Sequence, residues 1–321
     1  MAVKQFNLKP KKVPKINTKY RTINTEIPNP ESVDIINQLR KYEPNSMTGQ
    51  PPVVWDKAIG INVYDKWGNK WIDFSSCVVV ANVGHCNPKI QQAIISMTEH
   101  GLLNNYCFPS EIRAKLTKKI IEDIAPEELD KVFLLSTGSE TTECAIKLAR
   151  TNGIKVGGNK KNIIVTFDDA FHGRTMGAQL AGGSEGGKSW IVHLDKGIIQ
   201  VPFPNSFKYE WADQDNENYS DDKCFEIFLD NLRKQGIEDF NDIAGIMTET
   251  FQGGWCELMP KGFVQKLRKF CNEYNIVMIF DEVQAGFGRT GKMFGFMHYD
   301  IIPDLICCGK GISSGLPLSI K

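Results

Sequence analysis

The sequence predicts an α/β protein built on a mainly parallel sheet, and three features of the chain point there. Asn162–Phe167 and Ile243–Thr248 are nearly continuous apolar runs, as expected of strands buried on both faces. Phe263, Val264, Leu267, Phe270, Cys271 and Tyr274 recur at helical spacing and mark one face of an amphipathic helix. That helix feeds another apolar run, Ile276–Phe280.

Taken in order, residues 1–50 are polar and punctuated by prolines, and read as an N-terminal arm with one helix near Pro30–Lys41. Val53–Phe74 alternates apolar and polar residues between turn signals at Ile59-Gly60 and Trp67-Gly68-Asn69, which predicts a small antiparallel meander. Pro88–Gly101 and Ser110–Ile124 read as helices. Lys131–Leu135 is a short strand, followed by a helix over Glu140–Thr151 in which Glu143 and Lys147 stand in i,i+4 relation. Asn205–Asp222 is polar and acidic and reads as a surface loop. Asp304–Cys308 is one more strand. No internal repeat is visible.

Composition narrows the function classes. With 321 residues the chain is long enough for one large core and a smaller satellite domain. The formal net charge is zero, so no global field argues for nucleic acid or an anionic membrane. The longest apolar runs fall far short of the ~20 residues that span a bilayer. The basic N-terminus (Lys4, Lys9, Lys11, Lys12, Lys15, Lys19, Arg21) lacks the apolar core of a signal peptide and reads as a solvated arm. Nine cysteines form no C-x-x-C pair, and Cys77, Cys144, Cys271, Cys307 and Cys308 sit in apolar stretches. A reducing compartment, the cytoplasm, is expected, with no disulfide framework. Only five histidines are present, none at ligand spacing to the cysteines, so no metal site is expected.

The stretch "IVMIFDEVQAGFGRTGKM" (276–293) contains Gly286, Gly288 and Gly291 in the spacing of a dinucleotide fingerprint. A phosphate loop of that kind must open directly into a helix. Here Gly291 is followed by "KMFGFMHYDIIPD", which has no helical period, and the preceding strand ends in two acids, Asp281 and Glu282. The nucleotide reading fails on both counts.

Other residues carry the chemistry. Asp281 stands at a strand end, where ligands are met in open α/β sheets. Lys310 lies between two glycines after the strand Asp304–Cys308, which suits either a nucleophilic amine or a solvated lysine. "STGSETTECAIKLAR" (136–150) places Thr137 and Glu140 at capping-box spacing. The amides of Gly138 and Ser139, backed by the helix dipole, could seat a phosphate; capping alone would also explain the pattern. "AFHGRT" (170–175) puts Phe171 beside His172 after a strand, as core or as a ring platform. Together these fit one cofactor, pyridoxal 5′-phosphate: an aldehyde for Lys310, a ring for Phe171, a phosphate for Gly138 and Ser139, and a ring nitrogen for Asp281.

On these residues the chain resembles the class III (ornithine/4-aminobutyrate type) aminotransferases of the fold-type I pyridoxal-phosphate superfamily. The resemblance runs from about Gly60 to Leu318 through "VYDKWGNKWIDFSS", "NVGHCNPKIQQAI", "STGSETTECAIKLAR", "FHGRT", "ETFQGG", "DEVQAGFGRTGKMFGFMHY" and "PDLICCGKGISSGLPL". It implies a three-layer αβα large domain with a mainly parallel sheet over 81–321, and part of a small α+β domain over 51–80. It implies that Lys310 bonds to the cofactor and then shuttles a proton, and that Asp281 keeps the ring nitrogen protonated. Gln284 would meet the ring hydroxyl, Val283 would pack opposite Phe171, and Thr137, Gly138 and Ser139 with His172 complete the cofactor set. Glu249 matches a strand-end glutamate near substrate and cofactor. The implied reaction is transfer of an amino group between an amine or amino acid and a 2-oxo acid, by a homodimer. A racemase or epimerase of the same family, and a truncated non-catalytic paralogue, are the alternatives.

The chain departs from the family at Gly253-Gly254-Trp255 and at Ser313-Ser314-Gly315, both on the expected substrate side. It also stops at Lys321, where the family continues. A C-terminal portion of the small domain is therefore expected to be absent, leaving Phe294, Phe296 and the Ile301-Ile302 pair uncovered.

Overall fold

The computed structural model describes residues 5–47, 49–205 and 220–321. They divide into two compact units, Met1–Asn105 and Tyr106–Lys321. Most of the expected acidic loop, residues 206–219, lies outside the described residues.

The first unit is built on a five-stranded antiparallel sheet. The expected meander is present as Lys57–Ile59, Asn62–Tyr64 and Lys70–Ile72. The arm contributes more than a solvated tail: Ile16–Asn17 and Thr22–Ile23 form a hairpin that adds to the meander through Thr22 and Lys70. The meander turn is fixed by Asp65, whose Oδ1 accepts from the amides of Trp67 and Asn69. Helices Ser32–Tyr42 and Pro88–His100 stand where the sequence expects them. The second ends on Gly101 at φ 81°, a left-handed cap that glycine adopts without penalty.

The second unit carries the parallel sheet. Its strands are β1 (Ile163–Phe167), β2 (Ile198–Val201), β3 (Ile243–Glu249), β4 (Val277–Asp281) and β5 (Leu305–Cys307), in the order β5-β4-β3-β1-β2. All four pairings are parallel. Past β5, a single antiparallel bridge from Cys308 to Ile320 leads to Ser319–Ile320, which pairs with Leu134–Leu135. The expected strand 131–135 thus belongs to this antiparallel edge.

One face of the sheet is covered by α1 (Gly138–Gly157), and the opposite face by α2 (Asp221–Lys234) and α3 (Lys261–Glu273). The core under α2 and α3 is aromatic, with Phe167, Phe203, Phe228, Phe263 and Phe280 fully buried. The core under α1 is small, with Ala145, Ala149, Ala181 and Ala244 fully buried. The sequence reading passed over β2 and α2, and it ended the acidic loop too late: Ser220 caps α2 at its N-terminus and the helix begins at Asp221.

Three further expectations need correction. Phe294 and Phe296 are buried, at 3% and 1% exposure, stacked on one another and set against Phe287 and Phe280. The turn 294–299 folds back on β4, so these rings are covered from within the chain. Among the cysteines, Cys77 is exposed and Cys144 only half-buried, unlike the buried Cys271, Cys307 and Cys308. Glu143 accepts from Thr175 Oγ1 at 2.6 Å and from the amides of Gly177 and Ala178, which ties α1 to the turn after β1. Among the described residues, no helix is long and apolar enough to cross a membrane.

Candidate active site

A cavity of about 200 Å³ opens at the C-terminal ends of β1, β4 and β5. Its walls are Thr137, Gly138, Ser139, Phe171, His172, Gly173, Asp281, Val283, Gln284 and Lys310. Each cofactor-side residue expected from the sequence lines it. Glu249, the remaining expected site residue, ends β3 beside Asp281 in register and bonds to the amide of Phe171 at 2.9 Å.

One wall of the cavity is the start of α1. Thr137 is its N-cap, and the capping box is complete: Thr137 Oγ1 accepts from the amide of Glu140, whose carboxylate accepts from the amides of Thr137 and Ser136. The amide of Thr141 is taken by the Thr137 carbonyl. Of the four amides a helix start leaves without intrahelical partners, those of Gly138 and Ser139 are left for a ligand.

The acids are sorted by strand alternation. Met278 and Phe280 of β4 face the aromatic core, whereas Ile279 faces α1. Asp281 follows with the α1 side and reaches the cavity; Glu282 is turned the other way. Asp281 Oδ2 lies 2.8 Å from His172 Nδ1, and its Oδ1 accepts from the amide of Val283 at 3.0 Å. Glu282, fully buried, accepts from Thr250 Oγ1 and from the amides of Gly295 and Phe296 at 2.7 and 2.9 Å. Its function is to pin the glycine-bearing loop 283–294, and no α-helix follows Gly291 in which a nucleotide phosphate could sit.

The titratable groups push one another in different directions. Burial favours the neutral form of His172, but the bond to Asp281 and the nearby Glu249 outweigh it and raise the imidazole above its ordinary value. Its Nε2 is buried with no hydrogen-bond partner among the described residues. Burial lowers the Lys310 amine, and Asp281 and Glu249 only partly restore it. Burial also raises Glu249 to about 7 against the opposing charge of His172. Lys310 holds φ at 44°, a left-handed conformation that costs a non-glycine residue on the order of 1–3 kcal/mol and is characteristic of functional sites.

Close backbone packing shapes the cavity. A Cβ on Gly138 would meet Val283 Cγ1 at 2.9 Å, and one on Gly173, whose φ is 132°, would meet Ser139 Oγ at 2.2 Å. Gly173 was missed as a lining residue, although its signal, a glycine between His172 and Arg174 at a strand end, was in view. At the departure, Gly253 packs against the end of the Gln284 side chain, where a Cβ would lie 2.3 Å from the amide nitrogen. In the turn after Lys310, Ser313 Oγ donates to the Leu316 carbonyl and Ser314 Oγ to that of Gly311.

The family described as Aminotransferase class-III matches residues 44–321. The chain belongs to the class-III aminotransferase family. Among curated members, the acetylornithine aminotransferase of Methanopyrus kandleri is 32% identical over 87% of this chain and 64% of its own length. The adenosylmethionine-8-amino-7-oxononanoate aminotransferase of Staphylococcus aureus is 35% identical over 83% of this chain and 59% of its own. A solved taurine:2-oxoglutarate aminotransferase from Bifidobacterium kashiwanohense, in complex with PLP and glutamate, superposes with a TM-score of 0.77 at 30% identity, covering 89% of this chain and 64% of that one. This class-III chain spans about three-fifths of the length of the curated relatives it matches. The fold is that of these transaminases, the expected fold type I.

Proposed function

We propose that the protein is a pyridoxal-phosphate-dependent transaminase that exchanges an amino group between an amine or amino acid and a 2-oxo acid. The observation that carries this reading is the meeting of Lys310, Asp281 and the start of α1 in one cavity. The residues present fit the cofactor. Two first-turn amides suit its phosphate, and a buried carboxylate suits its ring nitrogen. An aromatic and a branched side chain, Phe171 and Val283, suit its two faces, and Gln284 suits the ring hydroxyl. When bound, the cofactor supplies an electrophilic aldehyde and a protonated ring that accepts electron density.

The chain's own residues would then act as follows. Lys310, whose burial favours the neutral amine, is the nucleophile toward the aldehyde. Once the substrate amine has displaced it, its Nζ would be free to take the proton from the substrate α-carbon and deliver it to the cofactor side, which is the shift that transamination requires. His172 donates Nδ1–H to Asp281 Oδ2 and so fixes the carboxylate that would hold the ring nitrogen. Thr137 presents the anion seat through its cap, and Glu249 fixes the loop that carries Phe171.

We extend the proposal to a cytoplasmic homodimer with small-molecule substrates and no nucleic acid or membrane partner. Free cysteines support the compartment, and exposed aromatics such as Phe74, Tyr106 and Phe108 support a second copy. For the domains we keep an arm at 1–50, part of a small domain at 51–80 and a cofactor domain at 81–321.

The test is borohydride reduction of the full-length protein with pyridoxal phosphate, followed by peptide mapping and an amino-transfer assay. Label on Lys310 alone, lost together with amino transfer in Lys310→Ala, is the expected result. Label on another lysine, or transfer surviving Lys310→Ala, overturns the reading.

A further inference from the structure

Glu249 is buried at 3% exposure, and among the described residues no ion pair neutralises it. Its two oxygens are used separately. Oε2 accepts from the amide of Phe171 at 2.9 Å, and Oε1 accepts from the amide of Gly253 at 3.2 Å. These two amides belong to different segments of the chain. Phe171 opens the turn after β1 that carries His172 and Gly173. Gly253 sits in the hairpin Phe251–Leu258, flush against the Gln284 side chain. A second bond ties the same two segments, from Gln252 Nε2 to the Asp168 carbonyl at 2.6 Å.

We propose that Glu249 is a positioning residue: as a carboxylate it clamps the Phe171 turn to the 251–258 hairpin, and on protonation it gives up one of its two bonds and loosens them. The ionised group offers an acceptor on each oxygen, matching two amide donors. The protonated group carries a donor on one oxygen, so that oxygen confronts an amide N–H and one bond is lost. The inference rests on the transaminase reading only for what the clamp would position, namely the aromatic wall and Gln284.

The charged groups facing Glu249 are His172, Asp281 and Lys310. Burial is the largest influence and favours the acid, His172 favours the carboxylate, and Asp281 opposes it; the two amide bonds favour the carboxylate. The balance raises the carboxyl to about 7, so the clamp is closed above that pH and loosened below it.

Amide hydrogen exchange of the full-length protein, with and without pyridoxal phosphate, tests this directly. After correction for intrinsic rates, peptides holding Phe171 and Gly253 should lose protection together by about tenfold as pH falls through 7, the usual scale of one hydrogen bond. Peptides from α3 should not change. In Glu249→Gln the step should vanish, with both segments already at the low level. Protection that is level across pH 7 in the wild-type protein overturns the clamp, as does an unchanged step in Glu249→Gln. Should the variant fail to fold, the wild-type titration alone decides. Because the cofactor-free arm needs no turnover, a level titration sinks the clamp and leaves the Lys310 labelling untouched, and the reverse holds equally.

Discussion

The two faces of the parallel sheet are packed in opposite ways. Under α2 and α3 the core is made of large rings: Phe228 alone lies within ring-contact distance of Phe167, Phe225, Phe263 and Phe270. Under α1 alanines alternate with Ile146, Ile164, Met247 and Ile279, and glycines at the contact let the helix lie close to the sheet. A Cβ on Gly153 would sit 2.2 Å from the Lys161 carbonyl, and one on Gly245 2.9 Å from Ala149 Cβ. The aromatic face supplies most of the apolar burial, which scales with area. The small face brings the first turn of α1 down beside Asp281 and Lys310. One face holds the fold together, and the other sets the position of the site.

Deleting a ring from the aromatic face should have the largest effect on stability. Phe228→Ala should cost about 3–5 kcal/mol, read from urea denaturation, with the folded fraction still binding pyridoxal phosphate at near its native affinity. A cost below about 1 kcal/mol would mean that this face does not dominate stability.

Adding a methyl group to the small face should cost less stability but reach the site. Gly153→Ala forces a Cβ against backbone, so α1 must move, at a cost of about 1–3 kcal/mol. Titration calorimetry should show weaker binding of pyridoxal phosphate than in Phe228→Ala. Equal affinities in the two variants would erase the distinction between the faces.

Smallest is the cap itself. Thr137→Ala should lower thermal stability by about 1 kcal/mol, since one acceptor at the start of α1 is lost. Combining it with Glu140→Ala should cost less than the sum of the two, because both belong to one box. Strict additivity would show that the two side chains act independently.

Much of this was legible in the chain. Continuous apolar runs gave β1, β3 and β4, and the spacing of Thr137 and Glu140 gave the start of α1. The residues that line the cavity were legible because they stand at strand ends or in the turns just after them. β2 escaped notice because Ile198–Val201 is four residues long and follows an irregular stretch, so no period could build up. The 16–23 hairpin was missed because its strands are two residues each and gain their pairing only from the meander beside them.

The sequence by itself determined which groups are available: a lysine, two strand-end acids, a capped helix start and an aromatic–histidine pair. It did so because caps, turns and strand ends are local, and their residue preferences are written within a few positions. Only the tertiary structure decided what each group does. Asp281 and Glu282 are chemically alike neighbours, yet alternation in β4 turned one to the cavity and the other to the Gly295–Phe296 turn. His172 and Asp281 are joined across 109 positions of chain, and Thr142 and the His172 carbonyl across 30. Such pairings depend on strand order and on how closely a helix approaches the sheet, and those follow from packing summed over the whole domain.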